Sequence, residues 1–155
     1  LVTFLSGATS SIMVDHVCHA IYLHLTWHTK HSQPLLQPKL EHLTFKAITD
    51  RISKTKGVWL HGINGTATHV HLAINIEPSI TISDLVKDLK GGSAHDVNSP
   101  TRDRLLEWQR GYGVVSFGAN NLPWVLDYIE KQKQHHAANR IHKRLEATTT
   151  DEQSS

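Results

Sequence analysis

The sequence predicts an α+β fold, a ferredoxin-like antiparallel four-stranded sheet with two helices on one face and a C-terminal tyrosine-bearing helix. Three observations carry this. Two segments alternate apolar and polar residues over the length of a strand, two others repeat apolar residues at helical spacing, and the elements run strand, helix, strand, strand, helix, strand before a last helix. With 155 residues, 39% of them hydrophobic and 19% charged, the chain suits one domain with a real core.

The first strand spans Ala20 to Thr29, where Ile21, Leu23, Leu25 and Trp27 face one way and Tyr22, His24, Thr26 and His28 the other. Pro34 and Pro38 break the chain, and Leu40, Leu43, Ala47 and Ile48 then recur at helical spacing, predicting an amphipathic helix over 39–55 that Gly57 stops. Val58 to Ile63 reads as the second strand, ended by Asn64-Gly65, a pair that tolerates the positive φ of a tight hairpin. The third strand runs from Thr68 to Ile76, with Val70, Leu72, Ile74 and Ile76 on one face and His69, His71, Ala73 and Asn75 on the other. Pro78 ends it. Thr81 and Asp84 can cap a second helix whose stripe is Ile82, Leu85, Val86 and Leu89 and which is expected to stop at Gly91-Gly92.

Residues 93–107 are polar and read as a loop with a short helix starting near Pro100; Gly111 to Gly118 is a fourth strand; Asn121 and Pro123 open a last helix reaching about Leu145. The domain is therefore placed at 15–146, with 1–14 as an N-terminal extension and 147–155 as a disordered tail. Two helices on one face leave the other face of the sheet free for a site.

Lys and Arg number 16 against 14 Asp and Glu, and a pI near 8.8 is compatible with nucleic acid without demanding it. Cys18 is the single cysteine, which excludes an internal disulfide and any zinc site of several thiolates, and points to a reducing cytoplasm. Residues 1–14 lack the basic leading region of a signal peptide, and no run has the length needed to span a bilayer.

On the third strand, His69 and His71 project from the same face, so two imidazoles can share one metal ion. A chain with 13 histidines also produces such a pair by chance. On the last helix Tyr128 and Gln132 are four apart and stack on one face, although Val125, Tyr128 and Ile129 read equally as ordinary core. His16, Cys18 and His19 supply too few ligands for a zinc clip, and His135 and His136 read as a solvated helix end. Two readings stay open for the basic residues: Lys87, Lys90, Arg102, Arg104 and Arg110 track DNA phosphates while Trp108 stacks on a base, or they form a solvated helix face with a core tryptophan.

Taken in order and spacing, the segments HLTWHTK, HVHLAINIEPSITISDLVKDLKGGS, WQRGYGVVSFG and YIEKQKQHH resemble the HUH single-tyrosine transposases of small insertion sequences, including the REP-associated tyrosine transposases. The resemblance runs from about His19 to His136. It implies a metal-dependent transposase that cuts and rejoins single-stranded DNA, at hairpin ends, through a 5′-phosphotyrosine. It further implies Tyr128 as nucleophile, His69, His71 and Gln132 as metal ligands, Mg2+ or Mn2+ as the divalent metal, a homodimer, and a cytoplasmic, nucleoid-associated protein without a membrane segment. Tyr112 belongs to the Gly-Tyr strand and is not the nucleophile. Thr68 departs from the pattern, since relatives often carry an acidic residue just before the first histidine. Other HUH nucleases (rolling-circle initiators and relaxases) share the chemistry, but the chain has no G-x-x-x-x-G-K loop. A domesticated hairpin-binding protein without transposition activity is the remaining alternative, and a sheet-based single-strand binder is disfavoured because this sheet face offers histidines rather than paired aromatics.

Overall fold

The computed structural model describes residues 12–14 and 17–148. The elements are β1 (Ile12–Val14), β2 (Val17–His19), β3 (Ile21–His28), α1 (Pro38–Lys54), β4 (Val58–Gly65), β5 (His69–Ile76), α2 (Ile82–Asn98), β6 (Gly113–Phe117), α3 (Leu122–Glu130), α4 (Gln132–Ala137) and α5 (Lys143–Glu146). A four-stranded antiparallel sheet has the order β4-β5-β3-β6, and β1 pairs with β2 in a separate hairpin. The β3-α1-β4-β5-α2-β6 path is the expected ferredoxin-like arrangement.

Alternation along the strands divides the sheet into two faces. Leu23, Leu25, Trp27, Val70, Leu72 and Ile74 point toward α1 and α2 and join Phe45, Ile48, Leu85 and Leu89 in the main core. Each such side chain, taken fully out of water, contributes roughly 1.5–3 kcal/mol. The opposite face carries His24, His69, His71 and Ala73, and α3 covers part of it by packing Leu122, Val125 and Ile129 against Tyr22 and Ala73. The register pairs Thr26 with His71 and His28 with His69, so β3 lies directly beside the His-x-His pair.

Three boundaries differ from the sequence expectation. β4 continues through Asn64-Gly65, and the turn is made by residues 66–68, where Thr66 N–H donates to the His69 carbonyl at 3.0 Å. Asn64 is used otherwise: its amide donates to the carbonyls of Ile129 and Glu130, tying β4 to the end of α3. α2 passes through Gly91-Gly92 and ends at Asn98, inside the stretch expected to be a loop, with Thr81 at its N-cap making no side-chain bond. Gly92 serves a close approach instead, for a Cβ there would stand 2.0 Å from the guanidinium carbon of Arg51. That guanidinium forks onto Asp96 at 2.9 and 3.0 Å and joins α1 to α2.

The last helix is three pieces. α3 gives way at Lys131 (φ −91°, ψ 14°) to α4, and Asn139, at φ +51°, turns the chain back before α5. α5 lies against β6 and β3. Leu145 is its buried anchor, and Gly113 on β6 admits the chain so closely that a Cβ there would sit 2.1 Å from the Ala147 carbonyl oxygen. The expectations for residues 1–11, for His16 and for 149–155 lie outside the described residues.

Candidate active site

β5 sends His69 and His71 from the same face, with ring centroids 4.9 Å apart. Each ring is held from behind through Nδ1. His69 Nδ1 lies 2.9 Å from Thr66 Oγ1 and 3.0 Å from Thr68 Oγ1, so Thr68 supports the first histidine by its hydroxyl where a carboxylate was expected in relatives. His71 Nδ1 lies 2.9 Å from Nε2 of the wholly buried His24 on β3. Desolvation lowers all three imidazoles, helped for His24 and His69 by the neighbouring His71: His24 and His69 fall to about 3 and His71 is lowered as well. They are neutral near pH 7. With Nδ1–H of His69 and His71 donating outward, both Nε2 lone pairs face the site.

Tyr128, on α3, brings its ring to 6.3 Å from that of His71. Its hydroxyl donates to Glu146 Oε1 at 2.6 Å and accepts from the His142 N–H at 2.9 Å. Burial, reinforced by the bond to Glu146, pushes the phenol up to about 12. Trp124 and His135 lie nearly parallel to the phenol, at centroid distances of 5.9 and 4.9 Å. Gln132 opens α4 fully buried, with Nε2 3.4 Å from the Tyr128 carbonyl oxygen.

Whether these residues suit a metal can be judged from unsatisfied atoms. Buried polar atoms without a hydrogen-bond partner are uncommon and call for an explanation. His69 Nε2, His71 Nε2 and Gln132 Oε1 are all buried and have no hydrogen-bond partner among the described residues. Two imidazole nitrogens and an amide oxygen are donors a divalent cation accepts, so the residues fit such an ion.

Two further residues join them that the sequence did not reveal. His136 on α4 brings its ring to 4.6 Å from His69, and Glu146 Oε2 lies 3.6, 3.4 and 3.5 Å from Nε2 of His69, His71 and His136. Burial would raise the Glu146 carboxyl, but the close approach of His71, with the Tyr128 hydroxyl and His69 adding to it, outweighs burial and holds the carboxyl well below its ordinary range. Nothing in the local sequence marks Glu146, because its position depends on the reversal after α4. His24 carried a partial signal: alternation placed it on the site face, and only the register of β3 against β5 set it behind His71.

The candidate DNA-contacting residues stand elsewhere. Lys87, Lys90, Trp108 and Arg110 line a groove along α2, on the helix layer, and Arg102 and Arg104 lie at the C-terminal end of that helix. Lys90 Nζ donates to the carbonyls of Gln109, Arg110 and Gly111 at 2.5, 2.8 and 3.0 Å, which pins the approach to β6. Trp108 donates to Ser93 Oγ at 3.1 Å and meets the buried Trp27 edge-on, which makes it part of the packing between α2 and the sheet. The histidines point from the opposite face. Tyr112 packs against the main core, away from His69 and His71.

Comparison with known proteins bears on this arrangement. A structure of a Deinococcus radiodurans R1 protein assigned as a transposase superposes with a TM-score of 0.62 at 24% identity, covering 78% of this chain and 97% of that one. A REP-associated tyrosine transposase bound to a REP hairpin gives a TM-score of 0.58 at 10% identity, over 85% of this chain and 76% of that one. Both show the shared fold. Among curated proteins no sequence matches. The family described as "Transposase IS200 like" matches residues 17–132, a span that contains β2 to β6, the paired histidines, Tyr128 and Gln132. By that match over most of its length, the chain belongs to the IS200-like transposases.

Proposed function

We propose that this transposase cuts and rejoins single-stranded DNA with Tyr128 as nucleophile and with His69, His71 and Gln132 holding a divalent metal, Mg2+ or Mn2+. The observation that carries the reading is the pair of buried imidazole Nε2 atoms of His69 and His71, without a hydrogen-bond partner among the described residues, beside a phenol whose hydroxyl bonds the carboxylate that also faces them. The hairpin carried by the REP-associated neighbour supports hairpin ends as the DNA substrate.

Attack by Tyr128 Oη on the scissile phosphorus forms a phosphotyrosine bond and breaks the bond to the 3′ oxygen. The phenol proton is lost to solvent and the leaving oxygen takes one up, giving a free 3′-hydroxyl and a 5′-phosphotyrosine. One phosphodiester replaces another, so the reverse step rejoins strands without ATP. The metal, when bound, neutralises charge at the phosphate and stabilises the leaving oxygen. The protein contributes position: Tyr128 and Gln132 are one turn apart, and Asn64 fixes the end of α3 that lies between them.

A denaturing gel with 3′-labelled single-stranded DNA tests the nucleophile. Tyr128→Phe keeps the ring and removes the oxygen, so the protein-linked band should vanish, whereas Tyr112→Phe should retain it. Chelation of divalent metal, His69→Ala and His71→Ala should each abolish cleavage while hairpin binding persists. A band that survives in Tyr128→Phe, or cleavage that survives chelation, defeats the assignment. We further propose a homodimer, in which the open edges of β4 and β6 offer pairing surfaces. Sedimentation at micromolar concentration should return twice the chain mass, and a monomer that cleaves DNA at full rate would contradict it.

A further inference from the structure

Glu146 and His136 have no part in the site as proposed so far, yet they stand at its centre. Glu146 Oε2 is 3.4–3.6 Å from three imidazole Nε2 atoms, and the four ligand atoms lie within 4.8 Å of one another. These separations are too long for good hydrogen bonds, and among the described residues His69 Nε2 and His71 Nε2 have no other partner. The three distances to Glu146 match a shared cation, since ligand atoms held about 2.1 Å from one ion at tetrahedral angles stand about 3.4 Å apart, and the imidazole nitrogens, within 4.8 Å of one another, need only a small closure to reach it. Three donors on β5 and α4 converge with one from α5, an element held by the buried Leu145 and by the close passage at Gly113.

We infer that His136 and Glu146 complete the metal site in the DNA-free chain, making a three-imidazole, one-carboxylate centre for a zinc-type transition metal. The inference rests on the metal site proposed above: it keeps His69 and His71, sets His136 and Glu146 in place of Gln132 while DNA is absent, and adds a preference. Two imidazoles and an amide form a weak neutral set. A third imidazole and a carboxylate add charge and favour Zn2+ or Co2+ over Mg2+, which prefers oxygen donors and retained water. The same carboxylate accepts the Tyr128 hydroxyl at 2.6 Å, so in this state one side chain engages both the metal position and the nucleophile. DNA then enters by taking the place of Glu146.

The test measures metal binding by the full chain without DNA. Zn2+ is titrated in competition with a chromophoric chelator, and the visible spectrum of the Co2+-loaded protein reports ligand number, intense for four ligands and weak for six. Glu146→Gln and His136→Ala should each weaken Zn2+ binding at least tenfold and lower the Co2+ band intensity. Tyr112→Phe should leave both unchanged, because that ring packs against the main core away from the histidines. Gly113→Ala, which displaces the chain at Ala147 without altering any ligand, should behave as Glu146→Gln does and guards against a folding defect in the latter. If His69→Ala loses Zn2+ while Glu146→Gln and His136→Ala bind within twofold of the native chain, the two added ligands are wrong and the smaller site stands. If His69→Ala also binds as the native chain does, both readings fall.

Discussion

His24 shows how much of the candidate site depends on a residue set behind the paired histidines. Its Nε2 lies 2.9 Å from His71 Nδ1, and in the tautomer in which His71 donates there, His71 Nε2 is left free for a ligand. Loss of such outer partners commonly costs 10–100-fold in metal affinity. His24→Leu should therefore weaken metal binding by about that factor in a chelator competition, and His24→Gln, whose amide oxygen can still accept, should recover part of it. Equal affinity in His24→Leu and the native chain would remove His24 from the argument. At this scale the sequence was informative about His69 and His71, whose spacing of two puts them on one face of a strand whatever the rest of the fold does. It was silent on Glu146, because no local period links a residue beyond a reversed chain to a histidine on β5.

At the scale of elements, the strands were legible because their alternation reflects a sheet with one face in the core and the other facing the site. The helix ends were not. Gly91-Gly92 has the composition of a stop, but Gly92 leaves room for Arg51 to cross between α1 and α2, and helix ends are normally recognised by the same residue types that permit close approach. Asn64-Gly65 misled in a similar way, because the asparagine amide is committed to α3 and the turn falls to the threonines after it. That commitment has a measurable strength. Asn64→Ala takes away both donors from the Ile129 and Glu130 carbonyls and should cost about 1–3 kcal/mol, read as a lower thermal midpoint. Because Gln132 follows directly, the covalent adduct should also form more slowly; an unaltered midpoint and adduct rate would show that β4 does not position α3.

For the whole molecule, burial of so many neutral imidazoles makes stability depend on pH with a definite sign. His24 and His69 hold folded values of about 3 against 6.5 when free. Between those values protons bind the unfolded chain preferentially, so stability present above pH 6.5 declines as the pH falls through the window. Glu146, depressed in the fold, acts with the same sign at lower pH, while Tyr128, raised from 10 to about 12, withdraws stability as the pH climbs through that interval. Urea unfolding of the metal-free chain should therefore show a lower midpoint at pH 4.5 than at pH 7.5, and a shallower drop in His24→Leu. Equal midpoints at the two pH values would mean that these rings are solvated. No helix among the described residues is long and apolar enough to cross a membrane.

The docking of α5 can also be expressed as a fraction of time. Leu145 is its buried side chain, and burial of a leucine holds an element by roughly 1.5–3 kcal/mol. Counted on that contact alone, about one molecule in ten to one in two hundred stands with the segment lifted at any moment. A substrate that enters only the lifted form meets an apparent affinity lowered by the same factor. Trimming Leu145 to alanine would return that factor to the substrate.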